Sequence, residues 1–264
     1  YVEVYDLKNG GEPQRISGYV HDVDNLIFTN DGKGFYSRDN AGMSIRLSDM
    51  STAKEVIKPK EKINHIALSP DGKTLAGVGQ AGNLYFWDIA NGYAEKVFHK
   101  NKDALSAVGF TRDGKKVMIG DVEGIVKQIE ISNASAVRVL SGHSASIEEI
   151  VFNFAGTFMA TASNDKTVRL WNLDKLNQQP IVLSDHSDWV RTAVFTADDE
   201  QLLAGINSNA EHAKETIHAW PTRIETMSGL LCAYITRHLS PDEWDIYVDP
   251  DPTVKDEKTC DNLK

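Results

Sequence analysis

One part of the chain contains a histidine, a serine and an aspartate close together in sequence. They are His143, Ser163 and Asp165, and such side chains can act as base, nucleophile and orienting acid. Acyl transfer by this set also needs an exposed serine beside an oxyanion hole, and the sequence indicates neither. Buried side chains of the same types also join strands through hydrogen bonds. We therefore predict a structural role for these residues and no catalytic residue.

A second motif has the form of a dinucleotide-binding loop. Gly77, Gly79 and Gly82 follow the pattern G-x-G-x-x-G. In a dinucleotide site this loop opens a helix, whose N-terminal amides face the pyrophosphate. The residues that follow, NLYFWDI, have the composition of a β-strand. We therefore interpret the glycines as turn residues and predict no cofactor.

Acidic and histidine side chains near the C-terminus have the types of metal ligands. Glu211, His212, Glu215 and His218 lie in an insertion, but their spacing matches no compact site such as H-E-x-x-H. The acidic residues of segment 249–257 lack the glycine and the ordered spacing of a calcium-binding loop. We predict no metal site, although a long insertion is also where binding function concentrates.

The elements that carry these residues belong to a repeated unit of short strands. Five copies recur at a period of about 40–45 residues, which is typical of four-stranded propeller blades. In three copies an Asp-Gly pair follows the first strand, where the glycine suits a hairpin turn. An apolar anchor residue ends the first strand of each copy, and we interpret these anchors as core residues: Phe28, Leu68, Phe110, Phe152 and Phe195.

The repeats resemble the WD-repeat family over residues 1–221. Trp87-Asp88 is the dipeptide that closes the third strand in that family, and Gly142-His143 is the pair that precedes a first strand. The resemblance implies an all-β propeller. It also implies a buried hydrogen-bonded tetrad, formed by His143, Ser163, Asp165 and Trp171.

The number of blades expected is five, with a further partial one. We expect the chain to be the C-terminal part of a longer seven-blade ring, truncated at its N-terminus. A six-blade ring completed in an unusual way is the alternative.

Residues 222–264 are expected to form a short helical and loop extension. Apolar residues of segment 223–239 lie near one helical face, and Ser240-Pro241 fits the start of a second helix. The segment resembles the C-terminal extension of bacterial WD-repeat proteins, which implies an upstream signalling ATPase of the STAND type or a caspase-like protease.

The two cysteines, Cys232 and Cys260, are a candidate disulfide. The acidic tail has few apolar residues to keep it ordered, and the resembled extensions carry cysteines at both places. A disulfide would favour an extracytoplasmic location such as a bacterial periplasm, whereas reduced thiols would favour the cytoplasm.

Composition excludes several classes of partner. The chain has 264 residues and a formal net charge of −10, which argues against nucleic acid, because duplex-binding proteins usually show a basic stripe. No apolar run approaches the roughly 20 residues that span a bilayer, so we expect no direct membrane insertion in this segment.

Two functions remain open. The leading hypothesis is a non-enzymatic interaction or sensor module, which binds a protein partner or another domain of the parent chain on a rigid propeller. The alternative is a small-molecule-binding or hydrolytic propeller with a site in the central channel. The first-strand starts provide no matched ligand set for such a site: Asp22, Lys62, Asp103, Ser144 and Ser187.

Overall fold

The computed structural model describes residues 1–6, 8–140, 142–184, 186–206 and 217–222. These residues form 21 β-strands and one short 3-10 turn, Leu173–Lys175. The predicted helices of the extension, together with Cys232 and Cys260, lie outside the described residues, as do Glu211, His212 and Glu215 of the insertion.

The strands form antiparallel sheets in which each strand pairs with the next one in sequence. A two-stranded sheet contains β1 (Val2–Val4) and β2 (Gln14–Ile16). Blade A contains β3 (Val23–Phe28), β4 (Phe35–Asp39), β5 (Ile45–Ser48) and β6 (Ala53–Ile57). Blade B contains β7 (Ile63–Leu68), β8 (Thr74–Gly79), β9 (Asn83–Asp88) and β10 (Ala94–Lys100).

The later sheets repeat this order. Blade C contains β11 (Leu105–Phe110), β12 (Lys116–Asp121), β13 (Val126–Glu130) and β14 (Asn133–Leu140). Blade D contains β15 (Ile147–Phe152), β16 (Phe158–Ser163), β17 (Val168–Asn172) and β18 (Ile181–Leu183). Blade E has three described strands, β19 (Val190–Phe195), β20 (Gln201–Ile206) and β21 (Ile217–Pro221).

The first strands of the five blades contact one another in turn. Strand β3 contacts β7, β7 contacts β11, β11 contacts β15, and β15 contacts β19. All five line one central cavity. The predicted all-β propeller is therefore confirmed.

An apolar layer lies between each pair of neighbouring blades. Between blades B and C, for example, Leu84 and Leu105 are fully buried in one cluster, and Leu202 is buried between blades D and E. An isolated blade could not bury its apolar faces, because each face is covered by the neighbouring sheet. The propeller is thus held mainly by contacts between sheets.

One predicted core residue is not buried. Phe110 is 6% exposed, but Phe28 is 53% exposed. Phe110 packs against Phe86 on the third strand of blade B, whereas the ring that contacts Phe28 is Phe35 of its own blade. The interpretation of Phe28 as a core residue was therefore wrong.

Each first strand contains a bulge near its start. The register with the second strand shifts between Val23 and Asn25 in blade A, and the same shift recurs in the other four blades. A bulge turns one side chain away from the regular alternation. The skipped residues, called the bulge ring below, are Asp24, Asn64, Ser106, Glu148 and Arg191.

The turns after the first strands lie at the opposite end of the strands from the bulge ring. In blade A, Asp31 accepts hydrogen bonds from Thr29 and from the Lys33 amide. Blade D has an alanine in place of this aspartate. There Asp199 of blade E accepts from the backbone amides of Phe154 and Ala155, at 2.6 and 2.7 Å. The Thr157 amide, which is equivalent to that of Lys33, donates to Asn153 Oδ1 within blade D, so the Asp199 carboxylate adds a link between the turns of two blades.

Candidate functional site

The histidine of the predicted tetrad is joined to the tryptophan through Thr161. His143 Nε2 lies 2.8 Å from Thr161 Oγ1, and Trp171 Nε1 donates to the same oxygen at 3.0 Å. The Ser163 hydroxyl does not contact His143: it donates to the Ala145 carbonyl at 3.0 Å and accepts from the Asp165 amide at 3.1 Å. Thr161 is the member of the network that sequence analysis missed.

The other ring nitrogen of His143 contacts the aspartate. Nδ1 lies 2.9 Å from Asp165 Oδ2, and the side chains of His143 and Asp165 are 0% and 5% exposed. Asp165 also accepts from Thr167 Oγ1 and from the Ser144 amide. Burial alone would raise the pKa of Asp165, but the hydrogen bonds from His143 and Thr167 outweigh it and hold that pKa well below 3.8.

This geometry is unsuited to nucleophilic catalysis. Ser163 is fully buried, and its hydroxyl is directed to a backbone carbonyl rather than to His143. The network joins the segment before β15 to β16, to β17 and to the turn between them. The structure thus supports a structural role for this network, which holds these segments of blade D together.

The glycine-rich motif lies in a strand–turn–strand segment. Gly77 and Gly79 belong to β8, Gly82 has a φ of +80°, and β9 follows directly. No helix begins at this loop, so it presents no helix N-terminus to a pyrophosphate. Gly77 instead leaves room for the Trp87 ring, which a β-carbon at this position would overlap.

The equivalent histidine in blade E packs against aromatic rings. His186 is 6% exposed, and its Nδ1 lies 3.1 Å from the Lys166 carbonyl oxygen. The ring centroids of His186 and Trp220 are 4.9 Å apart. His218, which the sequence placed among possible metal ligands, lies 5.1 Å from the His186 ring. Within the described ranges, no group of three potential ligand side chains could hold a metal ion.

The central channel has a polar mouth and an apolar throat. The mouth is a cavity of about 760 Å³ that contacts all five blades and contains the whole bulge ring. The throat is a cavity of about 420 Å³, lined mainly by apolar residues of the first strands. Three polar side chains border both cavities: Asn25, His65 and Glu149.

These three side chains meet across the channel. His65 Nε2 of blade B lies 3.2 Å from Glu149 Oε1 of blade D, and Asn25 Nδ2 of blade A lies 3.4 Å from the same nitrogen. Asn25 is fixed because its Oδ1 accepts from the Ile66 amide at 3.1 Å. Asn25 Nδ2 donates to the His65 nitrogen, and these side chains from three blades meet between the mouth and the throat.

The bulge ring is held by interactions between blades and within them. Arg191 donates to Glu148 Oε2 at 2.6 Å, which links blades D and E. Asn64 donates to the Leu105 carbonyl at 2.7 Å, which links blades B and C. Asp24 pairs with the buried Arg38. The ring side chains are thus oriented before any ligand is present.

An exposed aromatic residue marks the rim of the mouth. Trp189 is 44% exposed, and the guanidinium carbon of Arg191 lies 5.2 Å from its ring centroid. Tryptophan and arginine are enriched among the residues that dominate protein–protein binding energy. The rim between blades D and E therefore offers a ready contact surface.

The sequence placed the channel-facing positions too early in each repeat. Asp22, Lys62, Asp103, Ser144 and Ser187 precede the first strands, and none of them borders the mouth or the throat. The channel side chains come two to four residues later, where the bulge directs them inward. Alternation along the first strand could have indicated His65 and Glu149, because both follow the skipped position.

Comparison with known proteins identifies the repeats. The family model described as WD domain, G-beta repeat matches residues 54–88 and 134–172. U3 small nucleolar RNA-associated protein 15 of Saccharomyces cerevisiae is 25% identical to this chain, and the match covers 77% of the chain and 38% of the relative. Nuclear distribution protein nudF of Aspergillus niger is 21% identical, over 90% of the chain and 57% of the relative.

A third relative is periodic tryptophan protein 2 of Saccharomyces cerevisiae, which is 24% identical over 74% of the chain and 22% of its own length. The chain thus spans between 22% and 57% of the length of these relatives. They are eukaryotic, so they do not support the bacterial ATPase or protease context that the resemblance implied. No helix among the described residues is long and apolar enough to cross a membrane. The five blades thus form an all-β propeller, and two segments of it match WD40 repeats.

Proposed function

We propose that the chain is a non-enzymatic platform for protein–protein interaction and that its partner docks on the mouth face. One observation carries the proposal: five blades each direct one bulged side chain to a single polar mouth. A rigid propeller loses little conformational entropy when it binds, because its side chains are already positioned. The exposed Trp189 and Arg191 at the rim provide the contact that anchors a partner.

A protein partner is favoured over nucleic acid. One relative is named for an association with U3 small nucleolar RNA, but this chain has a net charge of −10. Nucleic-acid affinity depends on neutralising phosphates with basic side chains, and the mouth contains three carboxylates beside two arginines. In an RNA-containing assembly, this chain would bind the proteins.

The alternative is a small-molecule or hydrolytic site in the channel, for which His65 and Glu149 are the relevant residues. A hydrolase would place a nucleophile or a metal-bound water beside the histidine. Among the described residues, His65 contacts Glu149 and Asn25, and the Ser106 hydroxyl donates to the Gly120 carbonyl. This arrangement favours binding over hydrolysis.

The test is affinity capture with the wild-type protein and two matched variants. Trp189→Ala and Phe154→Ala each remove an exposed aromatic ring beside an arginine, and the rings lie at opposite ends of the first strands. We expect partners retained by the wild type to be retained by Phe154→Ala and lost from Trp189→Ala. Equal retention by both variants would contradict docking at the mouth.

A second measurement separates the two functions. Hydrolysis of a general ester probe such as p-nitrophenyl acetate by the wild type, abolished by His65→Gln, would favour the enzyme. No turnover above that of the His65→Gln variant is expected if the chain is an interaction platform.

A further inference from the structure

Two turns of the chain have the same Asp-x-x-Asn-Gly sequence, one starting at Asp6 and the other at Asp88. The first lies between β1 and β2, and the second lies between β9 and β10. Their asparagines, Asn9 and Asn91, are both exposed, and the glycines that follow have similar φ values of +67° and +59°. Asparagine loses its side-chain amide most readily before glycine, because glycine has no side chain to shield its backbone nitrogen. The two turns therefore form a matched pair for this reaction.

The first turn holds both groups that would have to react. Asn9 Nδ2 donates to Asp6 Oδ2 at 2.7 Å, and the Gly10 amide donates to the Asp6 carbonyl at 2.9 Å. Loss of the amide begins when the glycine nitrogen bonds to the side-chain carbon of the asparagine. Both hydrogen bonds must open before these atoms can meet, so the turn protects Asn9.

The second turn leaves the same two groups free. Here the Asp88 carbonyl accepts from the Tyr93 amide at 2.8 Å rather than from Gly92. The Asp88 carboxylate accepts from the backbone amide of Asn91 at 3.2 Å and not from its side chain. Among the residues that the structure describes, neither the Gly92 amide nor the Asn91 side chain has a hydrogen-bond partner. Nothing in this turn restrains the two reacting groups.

We propose that Asn91 is a site of spontaneous deamidation in the folded protein and that Asn9 is protected from it. The Gly92 nitrogen gives its proton to solvent and bonds to Asn91 Cγ. The Cγ–Nδ2 bond breaks, and Nδ2 leaves as ammonia after taking a proton from solvent. Water then adds to either carbonyl carbon of the resulting succinimide ring and opens it, which yields aspartate or isoaspartate. Water is the co-reactant, and no electrons are transferred.

The modification changes a contact between two blades. Isoaspartate routes the main chain through the former side-chain carbon, which lengthens the turn by one methylene and adds a carboxylate. The Ala94 amide donates to the Asn91 carbonyl at 3.1 Å and closes this turn. Tyr93 lies inside it, and its hydroxyl is 3.3 Å from that of Tyr36 in blade A. A longer turn therefore displaces Tyr93 and weakens the junction between blades A and B.

The test compares the two asparagines within one sample. The folded full chain is incubated at mildly alkaline pH in water enriched in the heavy oxygen isotope and is then digested in ordinary water. Only residues deamidated during the incubation take up the label, and peptide mass spectrometry locates them. We expect Asn91 to be labelled at least about tenfold faster than Asn9, a difference of about 1.4 kcal/mol that two opened hydrogen bonds can supply.

The unfolded chain is the control for local sequence. In urea both turns are lost, so the two asparagines should be labelled at similar rates. Asp6→Ala removes the acceptor of Asn9 Nδ2 and should speed labelling of Asn9 in the folded chain. Asp88→Ala is the matched variant, and it should change the rate at Asn91 little, because that carboxylate holds no side-chain amide.

A stability measurement tests the structural consequence. Wild-type protein aged at alkaline pH should unfold at lower urea than fresh protein. Asn91→Gln aged in the same way should not, because the longer side chain closes a ring far more slowly. Equal labelling of the two asparagines in the folded chain would overturn the proposal. An advantage of Asn91 that persists undiminished in urea would also overturn it, since the fold would then play no part.

An unchanged urea midpoint in aged wild-type protein whose Asn91 is labelled would refute the effect on the blade junction.

Discussion

At the residue scale, Thr161 connects two buried ring nitrogens that would otherwise lack a partner: Trp171 Nε1, which donates to its hydroxyl oxygen, and His143 Nε2. Its hydroxyl is shared by His143 and Trp171, and all three residues are buried. Thr161→Val keeps the shape of the side chain but removes the oxygen, so we expect the free energy of unfolding to fall by about 1–3 kcal/mol. Urea denaturation measures this difference.

Thr192→Val is the control, because Thr192 is an exposed strand residue of blade E. This variant should change stability little. Equal losses of unfolding free energy in the two variants would show that the Thr161 hydroxyl contributes no more than an exposed one. If the network is structural, His143→Ala should also lower the melting temperature.

Asp165 makes stability depend on pH. Its pKa is below 3.8 in the folded chain, because hydrogen bonds from His143 and Thr167 outweigh the effect of burial. The unfolded chain therefore binds a proton first on acidification. The contribution of Asp165 is complete above its unfolded pKa and is lost as pH falls toward its folded pKa.

We expect Asp165→Asn to be less stable than the wild type near pH 7 and to lose less further stability between about pH 4 and about pH 2. Urea titrations at these pH values measure it. Glu130→Gln should retain the wild-type slope. A slope unchanged in Asp165→Asn would mean that the acid sensitivity arises elsewhere.

At the element scale, Gly77 lets the second strand of blade B pass beneath a tryptophan. A β-carbon there would overlap the Trp87 ring, which is 1% exposed. Gly77→Ala should therefore destabilise the protein by about 1–3 kcal/mol through overpacking. The cost should shrink when Trp87 is replaced by leucine, and a double-mutant cycle measures this coupling. Additive costs would contradict the packing explanation.

Strand identity could be predicted from local pattern, whereas the side-chain register could not. The predicted third strand of blade B, NLYFWDI at 83–89, matches β9, Asn83–Asp88, because alternation and flanking turns are local signals. Thr161 and Ser163 lie two residues apart in β16 and so share one face. The two-residue period of a strand therefore could not decide whether the Thr161 or the Ser163 hydroxyl contacts His143.

The residues of the bulge ring could not be predicted from the sequence for a similar reason. A bulge adds one residue to one strand and reverses the alternation beyond it. Residues read as channel-facing by simple position, such as Asp22 and Lys62, therefore fall before the strands. The side chains of the candidate site could be identified from the sequence only once the repeats had been aligned at the starts of their first strands.

At the scale of the whole molecule, neighbouring blades depend on one another. Apolar layers fill each junction, Asp199 accepts hydrogen bonds from a turn of the preceding blade, and His65 and Glu149 meet across the channel. Stability in repeat proteins comes largely from such contacts between neighbours. A ligand at the mouth would touch several blades at once and stabilise their arrangement by mass action.

The remaining whole-chain prediction concerns Cys232 and Cys260, which lie outside the described residues. They are the two cysteines of the chain, and we propose that they form a disulfide that ties the acidic tail to the segment before it. Closing the loop from Cys232 to Cys260 would stabilise the folded chain by about 3.5 kcal/mol in the chain-entropy model. Protein unfolded without reductant should then show no free thiol in a colorimetric assay, and the same sample after reduction should show both. Two reactive thiols before reduction would refute the disulfide and, with it, the main argument for an extracytoplasmic location, since such bonds persist chiefly in oxidising compartments.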